Sequence, residues 1–128
     1  MKAVHLLGRL IFGGFFLYNG INHFKQQEAL AQYAGAKNVP NPDWAVIASG
    51  VALTVGGVSI VLGLKPKMGT LAILGFLASA STMIHDFWNI EDPHQRQNEM
   101  IHFSKNIALL GAALALAGFE EWPASVAD

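Results

Sequence analysis

Two polar motifs at the ends of long apolar runs carry most of the groups that could do chemistry. The first is His85-Asp86-Phe87-Trp88, and the second is His102-Phe103-Ser104-Lys105-Asn106. Their imidazole, carboxylate and ammonium groups can exchange protons, hydrogen-bond a polar ligand or pair as ions. If the two apolar runs form an antiparallel pair of helices, a short polar loop brings both motifs to the same end of that pair.

Lys105 is predicted to form an ion pair with Asp86. On a helix that begins near Gln97, the lysine lies about 10 Å inside at 1.5 Å per residue. An ammonium at that depth in lipid costs a few kcal/mol unless it has a partner. The complete predicted polar cluster is Asn19, His23, His85, Asp86, His102, Lys105 and Asn106. It serves either as a structural lock between helices or as a site for a small molecule or a proton.

Long stretches without charge indicate that the helices which position this cluster cross a membrane. Hydrophobic residues make up 52% of the 128 residues, charged residues make up 13%, and the mean hydropathy is +0.36. No charge occurs in the 21 residues between Asp43 and Lys65 or in the 18 residues between Lys67 and Asp86. A membrane-spanning helix needs about 20 apolar residues, whereas a helix of a soluble bundle needs a polar stripe, which residues 46–64 lack.

We therefore predict an all-α fold, a bundle of four transmembrane helices in one domain covering residues 1–128. The predicted spans are residues 3–24, 44–64, 68–88 and 97–119. Asp43 is expected to cap the second span. The polar segment 26–36 is too short to span and is predicted to form a short interfacial helix between the first and second spans. Glycines such as Gly20, Gly57 and Gly111 are predicted to provide faces for close helix packing.

The positive charges indicate how the chain is oriented in the bilayer. Positively charged loops favour the cytoplasm, and the side that holds the termini carries Lys2, Lys65 and Lys67. The opposite side also carries three positive residues, so Arg9, read as an anchor that snorkels to the interface, decides the count. We predict cytoplasmic termini, a polar cluster near the outer leaflet, and the bacterial inner membrane as the location.

Composition and spacing exclude several chemistries. The absence of cysteine excludes disulfides and thiolate catalysis, and no basic run indicates binding to nucleic acid. No metal centre is predicted, because the sequence is interpreted as lacking the His-x-x-x-His and Glu-x-x-His pairs of di-iron bundles. A haem held by His102 and either His23 or His85 fits the geometry of a bundle but is less favoured.

Short motifs along the chain form a pattern typical of one family. They are Gly20, His23-Phe24, Val39-Pro40-x-Pro42, Gly56-Gly57, Leu62-Gly63, His85-x-Phe87-Trp88, Gln97 and His102-Phe103-x-Lys105-Asn106. With these motifs, the chain resembles the DoxX family of small four-helix membrane proteins, which is related to the DoxD subunit of thiosulfate:quinone oxidoreductase. The resemblance covers nearly the whole chain, and the motif on the fourth helix is its most specific part.

The resemblance implies a membrane protein of a redox system. DoxD-like members pass electrons from thiosulfate to quinone, so a quinone is the expected ligand, and no covalently bound cofactor is expected. By resemblance, His85, His102, Lys105 and Asn106 form the polar core of the family. Leu53 stands where many relatives carry an acidic residue, so a mechanism that needs that carboxylate is not expected here.

Two functions follow from this reading. In the first, Lys105, His102 or His85 hydrogen-bonds a quinone carbonyl, and Asp86 exchanges the proton. In the second, the chain is a non-catalytic accessory or assembly subunit, packed in the lipid bilayer against other subunits of a redox complex. The small size, the lack of a cofactor motif and the glycine and alanine faces suit this second role. A transporter is disfavoured because the chain has no inverted repeat.

Overall fold

The computed structural model describes residues 2–119 and residue 122, which form helices and turns and contain no β-strand. The helices are α1 (Lys2–Lys25), α2 (Gln27–Ala36), α3 (Pro42–Leu62), α4 (Pro66–Met83) and α5 (Pro93–Ala117). Within the described residues, α1, α3, α4 with its continuation to Asn89, and α5 are long and apolar enough to cross a membrane. The predicted all-α fold is confirmed, with four candidate spans and a short helix between the first two.

The contact between α1 and α3 is so close that backbone meets backbone. A Cβ atom on Gly57 would lie 2.6 Å from the Leu17 amide nitrogen and 2.8 Å from the Gly13 carbonyl oxygen. A Cβ atom on Gly20 would lie 2.6 Å from the Thr54 amide nitrogen. Only glycine fits at such distances, which confirms the predicted packing face. We call this contact the α1–α3 seam, defined by Gly13, Gly20, Gly50 and Gly57.

An apolar core lies between α1, α3 and α4, and α5 covers one side of it. The largest fully buried apolar side chains are Phe16, Leu53, Ile60, Ile73 and Leu77. Leu109 and Leu110 of α5 pack against them. In lipid, van der Waals packing between helices supplies much of the stabilisation that the hydrophobic effect supplies in water. α5 contributes least to this packing. Only 11% of its apolar 18-residue stretch is buried, compared with 39% for the corresponding stretch of α3.

The third span ends its helix earlier than predicted. α4 ends at Met83, so His85 and Asp86 lie beyond the helix rather than in its last turn. The amide nitrogens of Ile84 and His85 both donate to the Ala80 carbonyl oxygen, at 2.9 and 3.1 Å. This shared acceptor widens the last turn and ends the helix. The motif that follows therefore turns away from the α4 axis and forms a single 3₁₀ turn, Phe87–Asn89.

The last helix begins earlier than the predicted residue 97. Asp92 is its N-cap, and the Asp92 Oδ2 atom accepts a hydrogen bond from the Gln95 amide nitrogen at 3.1 Å. Pro93 occupies the first helical position, where a missing N–H is tolerated. The Asp-Pro pair is therefore the start signal, and the polar residues after it form the first turns of α5.

The predicted cap at Asp43 is wrong. α3 begins at Pro42, and its N-cap is Asn41 in a left-handed backbone conformation with φ 47°, without a side-chain cap. Asp43 instead lies in the first turn, where a negative charge is favourable beside the positive end of the helix dipole. α3 ends at Leu62 because Gly63 adopts a left-handed conformation with φ 69°.

Arg9 is not the exposed interfacial anchor that was predicted. Its side chain is 1% exposed, and its Nη2 atom donates to the Val61 carbonyl oxygen at 3.4 Å. The guanidinium carbon lies 5.5 Å from the centroid of the Trp122 ring, a cation–π distance. The prediction failed because the Trp122 ring lies beside the arginine, which is buried within the bundle.

Candidate functional site

An apolar cavity of ≈ 320 Å³ lies at one end of the bundle, between α1, α2, α3 and α4. We call the end that holds α2 and the α4–α5 connection the α2 end. The apolar residues that line the cavity are Leu30, Ala34, Val39, Ala45, Val46, Phe76, Ala80, Met83 and Ile84. The polar residues that line it are His23, Tyr33, Ser49, Ser79 and His85. Pockets of about 300–1,000 Å³ with mostly apolar walls and a few polar groups are typical of small-molecule sites.

Glu99 connects the cavity wall to α5. Its Oε1 atom accepts a hydrogen bond from the Tyr33 hydroxyl at 2.8 Å, and its Oε2 atom lies 2.6 Å from His85 Nδ1. Glu99 is buried, and both of its oxygens have donors, as a buried carboxylate requires. An ionised carboxylate only accepts hydrogen bonds, so His85 Nδ1 carries the hydrogen. This interaction fixes the orientation of the ring and directs Nε2 away from Glu99.

The Tyr33 hydroxyl keeps its proton. Partial burial, the hydrogen bond to Glu99 and the negative charges of Glu99 and Asp86 together raise the pKa of Tyr33 to about 12, and burial contributes most. Below that pH the hydroxyl remains a donor to the Glu99 carboxylate. The short helix α2 is therefore tied to α5 by a hydrogen bond that persists at neutral pH.

A second polar contact ties α2 to the segment after α4. Lys37 Nζ lies 2.9 Å from Asp86 Oδ1, and Asn89 Nδ2 donates to Asp86 Oδ2 at 3.0 Å. The two charged side chains are 17% and 19% exposed, so the pair is shielded from water without being fully buried. Tyr33 and Lys37 are one helical turn apart and both reach across the same end of the bundle.

Four residues of the predicted polar cluster meet at this end. His23 and His85 both line the cavity. The ring of His102 stacks on the ring of His85, with centroids 5.0 Å apart and an interplanar angle of 22°. Asp86 follows His85 in the chain but turns its carboxylate to Lys37. These four residues therefore lie on or beside the wall of the cavity, and Lys105 is not at their centre.

The other three predicted residues lie elsewhere. Asn19 donates to the Phe15 carbonyl oxygen of its own helix at 2.8 Å, Asn106 is buried on α5, and Lys105 is exposed. None of the three is among the residues that line the cavity. The predicted pairing of Lys105 with Asp86 is wrong, because α4 ends before Asp86 and the chain turns that carboxylate towards α2.

Sequence reasoning missed Tyr33, Lys37 and Glu99. One signal for Glu99 was present: it precedes His102 by three positions, so the chain does contain a Glu-x-x-His pair, contrary to the interpretation above. In residues 2–119 and 122, however, no group of three or more His, Cys, Asp or Glu side chains is arranged to hold a metal ion. Here the glutamate bonds to His85 and Tyr33 instead.

The fold and the site define a small α-helical membrane protein with a cavity at one end of its bundle. A family model described as DoxX matches residues 4–86, which is more than half of the chain and extends from the first turn of α1 past the end of α4. The chain belongs to the DoxX family, as its sequence motifs indicated. The match ends at Asp86, so the motif on α5 lies outside the matched range. No curated protein and no solved structure matches the chain significantly.

Proposed function

We propose that this chain is a membrane component of a redox system and that its cavity binds a quinone or a similar lipid-soluble ring. The observation that carries the proposal is the place of His85, on a largely apolar wall with Nδ1 held by Glu99. A flat ring would pack its faces against the apolar side chains, and an oxygen on its edge would meet the imidazole. Such a combination of apolar walls and a few fixed polar groups is how ligand pockets combine affinity with orientation.

Family membership supports the choice of ligand. DoxD-like proteins, which this family resembles, pass electrons from thiosulfate to quinone. The cavity lies among candidate membrane spans, so a ligand dissolved in the bilayer is a better match than a charged one. For the orientation, we propose cytoplasmic termini in a bacterial inner membrane, because the end that holds the termini carries four positive residues and the other end carries three. The four are Lys2, Arg9, Lys65 and Lys67.

Proton exchange is assigned to His85, with Glu99 as the residue that positions it. A carboxylate that holds one ring nitrogen of a histidine orients the other nitrogen and stabilises the protonated ring. His102 stacks on the ring of His85 and is exposed on α5, so it provides a path for the proton towards water. Lys105, which is exposed and lies outside the cavity, is assigned no part in this proposal.

A pair of cavity variants tests the binding site. Ala80 lines the cavity, whereas Ala78 lies two residues earlier on α4 and is exposed. Binding of menadione to the protein in lipid nanodiscs would be measured by equilibrium dialysis. We expect saturable binding that Ala80→Phe weakens at least tenfold and Ala78→Phe leaves unchanged. Equal effects of the two variants, or binding that never saturates, would rule out this cavity as the site.

The redox role has a separate test. Reduction of menadione by the purified protein would be followed with thiosulfate as electron donor. We expect His85→Gln to lower the rate at least tenfold relative to His94→Gln, which changes an exposed histidine near the start of α5. If quinone binds but no reduction occurs, the chain is not the catalytic subunit for this donor.

A non-catalytic accessory subunit is the second candidate, favoured by the outward face of α5. This helix buries the smallest share of its span, and a Cβ atom on Gly111 would have no other atom within 4 Å. A small-residue face of this kind permits close approach of another helix. Native mass spectrometry from mild detergent would show a larger complex that Gly111→Leu disrupts and Ala78→Leu does not. Detection of the chain alone, without a partner protein, in extracts of native membranes would exclude this role.

A further inference from the structure

Each of the two histidines that line the cavity has one ring nitrogen already committed. His23 Nδ1 lies 2.7 Å from the Asn19 carbonyl oxygen. A carbonyl oxygen only accepts, so His23 Nδ1 carries the hydrogen and the Nε2 atom of the neutral ring is an acceptor. His85 Nδ1 lies 2.6 Å from the Glu99 carboxylate, and the same reasoning leaves the Nε2 atom of the neutral His85 ring as an acceptor. Within the described part of the chain, the hydrogen bonds of both rings involve Nδ1 and leave Nε2 without a partner.

Two hydroxyl groups on the cavity wall have also used their hydrogens. The Tyr33 hydroxyl donates to Glu99 at 2.8 Å, and the Ser49 hydroxyl donates to the Val46 carbonyl oxygen at 3.0 Å. Each oxygen can therefore only accept from a further partner. Of the five polar residues on the wall, four offer the cavity lone pairs and no hydrogen. The electrostatics of the wall are those of an acceptor surface.

From this arrangement we infer that the cavity recognises its ring in the reduced, dihydroxy form rather than in the dicarbonyl form. The inference rests on the proposed function and names the redox state of its ligand. A hydroquinone brings two O–H donors that match the unpaired nitrogens of His23 and His85. A quinone brings only carbonyl oxygens, whose lone pairs would face the lone pairs of the wall, so its polar edges would lose their hydrogen bonds on entry.

Four ligands with the same ring test the inference. They are tetramethylhydroquinone, its monomethyl ether, its dimethyl ether and the corresponding quinone. Equilibrium dialysis against the full chain in nanodiscs, without oxygen and at mildly alkaline pH, would give the four affinities. One hydrogen bond of about 1 kcal/mol corresponds to about fivefold in affinity. We expect the hydroquinone to bind at least tenfold more tightly than the dimethyl ether and the quinone, with the monomethyl ether between them.

Variants assign the preference to the two rings. We expect His23→Phe and His85→Phe each to reduce the hydroquinone-to-quinone affinity ratio about fivefold, whereas His94→Phe leaves it unchanged. Because the ratio compares two ligands on one sample, a loss of folded protein cancels. Glu99→Gln should lower the same ratio by another route, since its amide can donate to His85 Nδ1 and move the hydrogen to Nε2, which then donates to a quinone carbonyl.

The outcomes separate the inference from the function on which it rests. If the quinone or the dimethyl ether binds as tightly as the hydroquinone, the inference is overturned and the cavity remains a ligand site. If none of the four ligands binds, both the inference and the proposed function fail. An unchanged ratio in both His23→Phe and His85→Phe also overturns the inference, because the acceptors then lie elsewhere.

Discussion

The α1–α3 seam and the α2 end differ in how closely their helices approach. Along the seam, a Cβ atom added to Gly57 would lie 2.6 Å from the Leu17 amide nitrogen. At the α2 end, the helices are separated by a cavity of ≈ 320 Å³. The seam contains small residues in contact. The α2 end is bridged by polar side chains, because Tyr33 and His85 both form hydrogen bonds to Glu99. In lipid, close packing between helices stabilises a bundle. The α2 end therefore has less packing stabilisation than the seam. The seam therefore contributes stability, and the α2 end leaves the space in which we propose that a ligand binds.

The largest expected effect comes from breaking the seam. We expect Gly57→Ala to lower the free energy of unfolding by about 2–3 kcal/mol, because its methyl group would overlap the backbone of α1. Gly111→Ala is the matched control, since no atom lies within 4 Å of its added Cβ. The control should be neutral or stabilising by up to about 1 kcal/mol, the helix propensity gain of alanine over glycine.

Unfolding of both variants in mixed micelles, titrated with SDS, measures this difference. The comparison uses the same substitution in two membrane-spanning helices, so the change in helix propensity is common to both. Equal stability of the two variants would mean that α1 and α3 do not meet through their glycines, and the contrast between the two regions would be lost.

Removal of the Glu99 charge should have the next largest effect. Glu99→Gln weakens the hydrogen bonds to both Tyr33 and His85, and the loss of hydrogen bonds to a charged group is expected to lower the free energy of unfolding by about 1–2 kcal/mol. Glu91→Gln removes an exposed carboxylate near the same end and should have little effect. The same titration compares them. If the two variants have the same free energy of unfolding, Glu99 contributes no more to stability than an exposed glutamate does.

The ion pair between α2 and the segment after α4 should contribute less. Lys37→Met is expected to lower the free energy of unfolding by about 0.5–1 kcal/mol, because the Lys37–Asp86 pair is partly exposed to solvent. The effect should shrink at high salt. Lys25→Met, at an exposed lysine on the last turn of α1, serves as the control. A salt-independent loss of stability would mean that Lys37 acts through packing and not through charge.

The last effect is confined to alkaline pH and leaves stability at neutral pH unchanged. The pKa of Tyr33 is raised to about 12 from an ordinary value of 10.0, so folding favours the protonated hydroxyl. Its contribution to stability is complete below about pH 10 and is lost as the pH rises towards 12. The difference in tyrosinate absorbance between the wild type and Tyr33→Phe should have a midpoint near 12, and Glu99→Gln should lower that midpoint. A midpoint near 10 would show that Tyr33 does not bond to Glu99.

Local patterns in the sequence predicted the seam but not the site. The spacing of Gly13 and Gly20 and the Gly56-Gly57 pair are visible in the sequence, and their close packing needs only a neighbouring helix. The end of α4 was missed because Phe87 and Trp88 extend the apolar run past Met83. Hydropathy does not distinguish an apolar helical turn from an apolar turn outside a helix.

The contacts at the α2 end could not be predicted because they join distant parts of the chain. Tyr33 and Glu99 are separated by 66 positions, and Lys37 and Asp86 by 49. Proximity in sequence favoured Lys105 as the partner of Asp86 instead. Which basic residue reaches a carboxylate depends on where α2 lies against α3, and that placement has no local sequence signal.

The most direct test of the central claim is to locate the bound ligand. A photoreactive azidonaphthoquinone would be crosslinked to the chain in nanodiscs, and the labelled peptides would be identified by mass spectrometry. We expect labels on α2 and on residues 76–85, and we expect excess menadione to suppress them. Labelling confined to the outward face of α5 around Lys105, or labelling that excess menadione does not reduce, would contradict the cavity at the α2 end as the binding site.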